Sequence, residues 1–574
     1  MTAGMAVSIT ISPVPKGVNG TDTKHYLYVA GGSGSPEAVL ITGGTATSGS
    51  LSGTLSFTPA SSHSGAWTVS SANGGIAEAM QSMSPGGGVV GMPSGTYTIR
   101  GPVGYLPKMT FLGAGPTTIL VPGSSASIVF DGNVPHKGAD EFSMVSDNVR
   151  FENFLIDGHT FGGVNSAVGI QGLTTSSPDQ EVWHYFQIDI VNVFFNNVYS
   201  AILFQRSRYL NILNCKLYAN SQITVTDSNL EIVSGKTAFS TNTLVDGLIY
   251  SWHAIDALSC ANASMADAVI SLTKTEESYI SNCNFSMSGL RFTPGPIGIA
   301  MAGGEDLSIV NCSFNNPLYG IVLESVTSPG GTFSQYAAFV KIVGTSIDSI
   351  HQDGIVIADG TSSTDSPSNQ VQHVLIDGCL ITDTIAARSY ATFVNVGAFT
   401  KFVSFTGNVF RDIQPSASQA AIFIAQGCEG IRFDRSNTFV NNSDVTNPAG
   451  GPFGTGVSIN STSPVSVYGL EDLRFVGFAP NIYDPSSTIS ATAALVLPIG
   501  RRFVQVQGTT TITSFASVPP EGSVVTLRFV SSLTISSGTR LRLNSNFVST
   551  NTAYSTLTLY SDGTTMIEIS RSAN

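Results

Sequence analysis

Glu324 stands where an otherwise regular chain carries a small apolar residue. Gly320-Ile-Val-Leu-Glu324 aligns with Gly298-Ile-Ala-Met-Ala302 before it, and with Gly354-Ile-Val-Ile-Ala-Asp359 and Ala421-Ile-Phe-Ile-Ala425 after it. The neighbours have alanine at this phase, and Asp359 follows one residue past it. The turn Ser346-Ile-Asp-Ser-Ile-His-Gln-Asp353 adds Asp348, His351 and Asp353, and Asp383 and Asp412 recur near the phase of Asp348. If such segments stack as neighbouring strands, equivalent side chains lie about 4.8 Å apart. Retaining glycosidases hold two carboxyls ~5–5.5 Å apart and inverting ones ~6.5–9.5 Å. Carboxylates one step apart meet the first condition, and those two steps apart lie near the upper limit of the second. Glu324, Asp348, Asp353 and Asp359, with His351 beside them, are therefore the candidate catalytic set, one carboxyl as general acid and another as base or nucleophile. The structural alternative is that these aspartates hydrogen-bond turn backbones.

A second candidate set lies where the chain breaks its own period. Asp157 and His159 follow one repeat, and the loop Ser177-Pro-Asp-Gln-Glu-Val-Trp-His-Tyr185 interrupts the next. The insertion between Asn214 and Asn282 contributes Trp252, His253 and Asp256. Trp183, Tyr185 and Trp252 offer flat faces for a sugar ring, and loops inserted in a solenoid usually line its binding face. Asp157, His159, Trp183, Tyr185, Trp252, His253 and Asp256 are thus the candidate substrate contacts. Packing of the loop aromatics on the solenoid wall is the alternative.

These residues are positioned by a repeated phrase. It reads Asn192-Val-Phe-Phe195, Asn214-Cys-Lys-Leu217, Asn282-Cys-Asn-Phe285, Asn311-Cys-Ser-Phe314, Gly378-Cys-Leu-Ile381 and Gly407-Asn-Val-Phe410. It recurs 22 residues on from Asn192 to Asn214, and 29 on from Asn282 to Asn311 and from Gly378 to Gly407. A fixed period of roughly 20–50 residues marks a solenoid. The β-rich phrase makes it a parallel β-helix. Cys215, Cys283, Cys312 and Cys379 share one phase, which predicts a stack of buried thiols in place of disulfides. The asparagines are expected to form ladders from coil to coil.

Composition agrees. A chain of 574 residues exceeds one globular core, whereas a solenoid grows coil by coil. Charged residues make up 11%, and 59 Gly with 26 Pro suit many short strands and tight turns. The net charge of −13 disfavours nucleic acid and anionic membranes as partners. A neutral or weakly charged partner is the easier case. No CxxC or His-rich cluster suggests a metal, so no cofactor is expected. The N-terminus lacks the basic and apolar regions of a secretory signal, and no apolar run reaches the ~20 residues that span a bilayer, so membrane insertion is not expected.

Residues 1–72 read as a small β-domain, with strands over Ala38–Thr42, Gly53–Phe57 and Ala66–Ser70. Ile76, Met80 and Met83 have helical spacing, predicting a capping helix over 73–83. Then come Pro85-Gly-Gly-Gly-Val-Val-Gly-Met-Pro-Ser-Gly-Thr-Tyr-Thr-Ile99 and Leu112-Gly-Ala-Gly-Pro-Thr-Thr-Ile-Leu120. With the helix, they resemble the opening of the pectate-lyase-like superfamily, and the Gly-Ile-x-Leu and Asn-Cys-x-Phe phrases resemble its coils. The resemblance implies an all-β fold: a right-handed parallel β-helix solenoid over 73–489, with a capping helix and small flanking β-domains. Residues 490–574 alternate at close to period two, resembling the C-terminal β-domain of phage tailspike-like proteins. That likeness implies a homotrimer, a trimerisation or carbohydrate-binding module, and a place on a virion or outside the cell. A cap on the solenoid's open edge is the alternative.

The superfamily's marked enzymes are not matched. The chain lacks the Trp-x-Asp-His and Arg-x-Pro-x-x-Arg elements of pectate lyases, and the Asn-Thr-Asp, Asp-Asp, Gly-His-Gly and Arg-Ile-Lys elements of polygalacturonases. The expected function is a tailspike-like protein that binds polysaccharide and hydrolyses its glycosidic bonds with a carboxylate pair. A non-catalytic fibre or adhesin, and a lyase with atypical motifs, are the alternatives.

Overall fold

The computed structural model describes all residues except 23–24, 125–126, 133–145, 159–166, 173–184, 197, 199, 206, 220–222, 226–231, 235–267, 288–296, 316, 318, 325, 328–333, 336, 351–352, 358–370, 383–391, 412–419, 441–454, 460–465, 477–481, 484–487, 499, 550–554 and 573–574. The chain divides into two compact units, residues 1–355 with 360–371 and residues 356–359 with 372–574.

The first unit opens with a five-stranded antiparallel sheet, in the order Val7–Ile11, Gly53–Phe57, Glu37–Gly43, Tyr26–Ser33, Ser64–Ser71. Period-two alternation puts Val29, Ile41 and Phe57 on its buried face. The helix Ile76–Gln81 follows, shorter than the sequence spacing predicts. Ile76, Ala77 and Met80 are its buried residues, and the Asn73 side chain accepts the Ala77 N–H at 3.1 Å. His25 ties sheet to helix, lying 3.1 Å from Glu78 and 3.6 Å from Asp22.

Parallel coils come next. Leu155–Asp157, Phe194–Asn196, Lys216–Ala219, Asn284–Met287, Ser313–Asn315 and Ser346–Asp348 stack in register, one strand per coil. Their middle residues form an apolar ladder in which the Phe285 and Phe314 rings stack at 4.3 Å and 12°. Opposite runs an isoleucine ladder, Ile170, Ile202, Ile270, Ile299 and Ile321, each fully buried. The predicted cysteine stack is present for Cys215, Cys283 and Cys312, whereas Thr345 takes the place on the following coil and Cys379 lies in the second unit. Asn284, Ser313 and Ser346 donate their N–H groups to the carbonyls of Cys215, Cys283 and Cys312, each at 2.9 Å. All five described cysteines are buried and free.

The phrase's asparagines turn the chain more than they bond it. Asn153, Asn192, Asn214, Asn282 and Asn311 all have φ between 51° and 61°, and Gly344 takes the same place at 59°. Asparagine and glycine are the residues that tolerate this left-handed region. Amide ladder bonds join Asn192 to Asn153 at 3.2 Å and, in the second unit, Asn408 to Asn437 at 2.9 Å.

In the second unit Leu380–Thr382, Val409–Arg411, Thr438–Val440 and Arg474–Val476 stack likewise. Phe410, Phe439 and Phe475 follow one another at 4.7 Å, the spacing of neighbouring strands. The chain ends in a six-stranded mixed sheet, in the order Thr488–Ser490, Phe503–Gln507, Val524–Phe529, Ser555–Ser561, Met566–Ser572, Leu541–Arg542. It closes over its own core, with Val504, Val506, Leu527 and Phe529 buried. The long parallel stacks make the fold a β-helix with flanking β-modules.

Candidate functional site

Glu324 ends the strand Tyr319–Glu324 and pairs in register with Ala302, as the aligned sequence segments predict. The same register position is held by Thr273 and Gln205 on the two preceding coils. All six residues of the strand are buried, and Glu324 has no exposed surface. Period two puts Glu324 on the face shared with Val322, opposite Ile321 and Leu323.

Asp353 opens the paired strand Asp353–Ile357 and is 7% exposed. Gly320 packs against the carbonyl of Gly354, where a β-carbon would stand 2.5 Å away. That register sets Asp353 beside Tyr319, five residues along the strand from Glu324, or about 16 Å at ~3.3 Å per residue. Asp348 belongs to the opposite stack, where it pairs with Asn315 and is half-buried. Glu324 and Asp353 are therefore held apart along their sheet, and Asp348 belongs to a different one. Asp359 and His351 lie outside the described residues, as do Asp383 and Asp412.

Of the predicted substrate contacts, Asp157 ends the strand Leu155–Asp157 and accepts a 2.9 Å hydrogen bond from the Asn196 amide. Tyr185 opens the strand Tyr185–Val191. His159, Trp183, Trp252, His253 and Asp256 lie outside the described residues.

One column of residues went unread in the sequence. Asn148, Gln187, Tyr209, Glu277, Asp306 and Phe339 of the first unit all have φ between 48° and 58°. Each precedes its phrase residue by five positions, so the signal was there in the period. Here the chain bulges at every coil. The column is solvent-facing: Tyr209 is 36% exposed and Phe339 44%, with Tyr279 at 38% on the adjoining column.

The register pairs Glu276 with Glu305 and Ser278 with Leu307, which makes Glu277 and Asp306 direct neighbours on adjacent coils. Arg208 binds the Glu277 carboxylate through both Nε, at 3.2 Å, and a terminal nitrogen. This hydrogen bonding, with a further one from the Tyr209 hydroxyl, holds the Glu277 carboxyl below the ordinary carboxylate range. The Arg208 guanidinium also lies 5.2 Å from the Tyr209 ring centroid. Beside it, Arg150 bonds Glu152 at 2.6 Å and Asp189 at 3.3 Å, and Asn211 donates to Asp189 at 2.9 Å. The face thus combines aromatic rings, amides and charges that already pair with one another. Among the described residues no group of three His, Cys, Asp or Glu could hold a metal ion. No helix among them is long and apolar enough to cross a membrane.

No family model and no curated protein matches this chain. Solved structures do. The A-module of a mannuronan C-5 epimerase of Azotobacter vinelandii is 12% identical, with 71% of this chain and 93% of that one covered and a TM-score of 0.45. The surface adhesin PfbA of Streptococcus pneumoniae is 14% identical, with the same coverage and a TM-score of 0.45. A tailspike of E. coli bacteriophage HK620, solved with a pentasaccharide, is 14% identical over 76% of this chain and 71% of its own, at a TM-score of 0.43. At these values none of them transfers a residue or an activity.

Proposed function

We propose that the protein binds a polysaccharide and hydrolyses its glycosidic bonds with a pair of carboxylates. The observation that carries this is the placement of Glu277 and Asp306 as register neighbours on a solvent-facing sheet between Tyr209, Tyr279 and Phe339. One coil step of about 4.8 Å suits the ~5–5.5 Å of a retaining pair. Arg208 keeps Glu277 ionised, the state a nucleophile needs. Asp306 is then the proton donor. Glu277 attacks the anomeric carbon while Asp306 protonates the departing glycosidic oxygen. Water next attacks the glycosyl ester, returns a proton to Asp306 and frees Glu277. The neighbouring rings offer flat apolar faces to the sugar.

Glu324 with Asp348, Asp353, Asp359 and His351 is the other proposed carboxylate set. Its described members are buried or separated, so the exposed pair serves an extended chain better. The loop residues Asp157, His159, Trp183, Tyr185, Trp252, His253 and Asp256 are proposed as further substrate contacts. A homotrimer on a virion or outside the cell is proposed as the working form, supported by the exposed Val496, Phe503, Val548 and Ile569 of the C-terminal module.

The test is incubation with a polysaccharide panel, scored for new reducing ends. Glu277→Gln and Asp306→Asn should each remove the activity of the wild type. Single alanines at Glu324, Asp348, Asp353 and Asp359 decide the other set. Full activity in Glu277→Gln and Asp306→Asn would remove the exposed pair from consideration.

A further inference from the structure

The second unit carries aromatic residues in a backbone conformation that aromatic residues rarely adopt. His373, Phe399 and Phe402 have φ of 57°, 59° and 55°. The conformation is fixed by the coil beneath. The Phe399 N–H donates to the Gln426 carbonyl at 3.0 Å, and the Phe402 N–H to that of Glu429 at 2.8 Å. The first unit carries Tyr209 and Phe339 at the matching place in two coils, but it also uses Asn148 and Asp306 there, and the coil beneath Phe402 uses Gly430. Asparagine, aspartate and glycine take left-handed backbone at less strain than phenylalanine. The bulge does not need the rings, so the rings need another reason to be there.

The rings are laid out as a surface. Phe399 is 38% and Phe402 45% exposed. Each lies against a glycine of the next coil: a β-carbon would come within 2.5 Å of the Phe399 ring at Gly427, and within 2.7 Å of the Phe402 ring at Gly430. The His373 and Phe402 rings stack at 4.8 Å and 17°. The glycines thus leave room for the rings along the stack.

The surroundings select the occupant. Lys401 pairs with Glu429 at 3.5 Å, and Arg432 lies over the Tyr468 ring at 5.8 Å. These charges are already engaged, so an anionic ligand gains little. A net charge of −13 opposes nucleic acid, which also stacks on aromatic rings. A protein partner needs about 800 Å² on each side, more than three part-exposed rings supply. An uncharged sugar chain presents flat C–H faces to rings and hydroxyls to the polar flanks. We infer that Phe399, Phe402 and His373 form a saccharide-stacking platform that holds a neutral polysaccharide without cutting it. This rests on the glycan-binding function proposed above and adds a binding site to it.

Asparagine suits the backbone here, so Phe399→Asn with Phe402→Asn removes the rings and relieves the strain together. The wild type, this double variant and Phe402→Tyr are compared on an array bearing dextran, amylose, β-glucans and neutral bacterial capsular polysaccharides. The wild type should be retained, the double variant at least tenfold less so, and Phe402→Tyr near wild type. The melting temperature of the double variant should be equal or higher. Retention unchanged in the double variant overturns the platform while leaving glycan binding intact. A lowered melting temperature assigns the rings to packing and also overturns it. A changed sedimentation coefficient in the double variant, with retention unchanged, makes the patch a contact between copies. A wild type retained by nothing on the array overturns the platform, while the reducing-end assay on Glu277→Gln judges the catalytic proposal separately.

Discussion

At Asn282 and its equivalents the side chain matters less than the backbone it permits. A left-handed conformation costs an ordinary residue roughly 1–2 kcal/mol, and Gly344, Gly378 and Gly407 fill the same place in other coils. Asn282→Gly should therefore leave urea stability within about 0.5 kcal/mol, whereas Asn282→Ala should lower it by about 1 kcal/mol. The sequence showed the Asn-Cys phrase clearly and suggested ladders. It could not show that φ, more than the amide, selects asparagine. The proposed catalytic pair was harder still. Tyr209, Phe339 and Phe402 take positive φ against their own preference, so no propensity marks them. Only counting back five residues from each phrase would have found Glu277 and Asp306. Removing either by Glu277→Gln or Asp306→Asn should lower kcat at least about 10²-fold, with stability unchanged, read by reducing ends and thermal melts on the same samples.

Among the elements, the join between the N-terminal sheet and the helix Ile76–Gln81 should respond to pH. Burial pushes the His25 pKa down, but hydrogen bonding and charge from Asp22 and Glu78 outweigh it and raise it to about 9. The folded pKa being raised, His25 contributes its full share below its ordinary 6.5 and loses it as pH rises through about 9. Glu78 is lowered by the same pair, although its burial acts the other way. Its share is present above the ordinary 4.5 and lost as pH falls through the lowered value. Limited proteolysis of the first unit should therefore accelerate at both extremes. His25→Gln should flatten the alkaline arm and cost about 3 kcal/mol, the size expected for breaking a buried pair. The apolar ladders are simpler. Phe314→Ala opens a hole under Phe285 and should cost about 3–5 kcal/mol, measured by chemical unfolding. These ladders were legible, because Phe285 and Phe314 share a phase in the chain and a stack in the fold. The ion pair was not, because Asp22, His25 and Glu78 follow no period.

Each unit carries a monotonous wall of parallel coils, and the proposed chemistry sits where that monotony is broken. Alignment of repeats placed Glu324 beside Ala302 correctly. It could not show that Glu324 is sealed on both faces of its strand, because burial depends on what covers a coil and not on its phase. The exposed face bearing Glu277 and Asp306 escaped for the converse reason: its residues look like ordinary polar surface until the register sets them one coil apart. At this scale the proposed trimer should sediment as three chains at micromolar concentration, and a monomer there would contradict it. The measurement that reaches furthest is the digestion of a polysaccharide panel, with reducing ends, unsaturated products and product anomer followed together. A hydrolase with carboxylates one coil apart predicts new reducing ends, no conjugated double bond and retained anomeric configuration. Unsaturated products, an inverted anomer, or binding without any new reducing end would each contradict it.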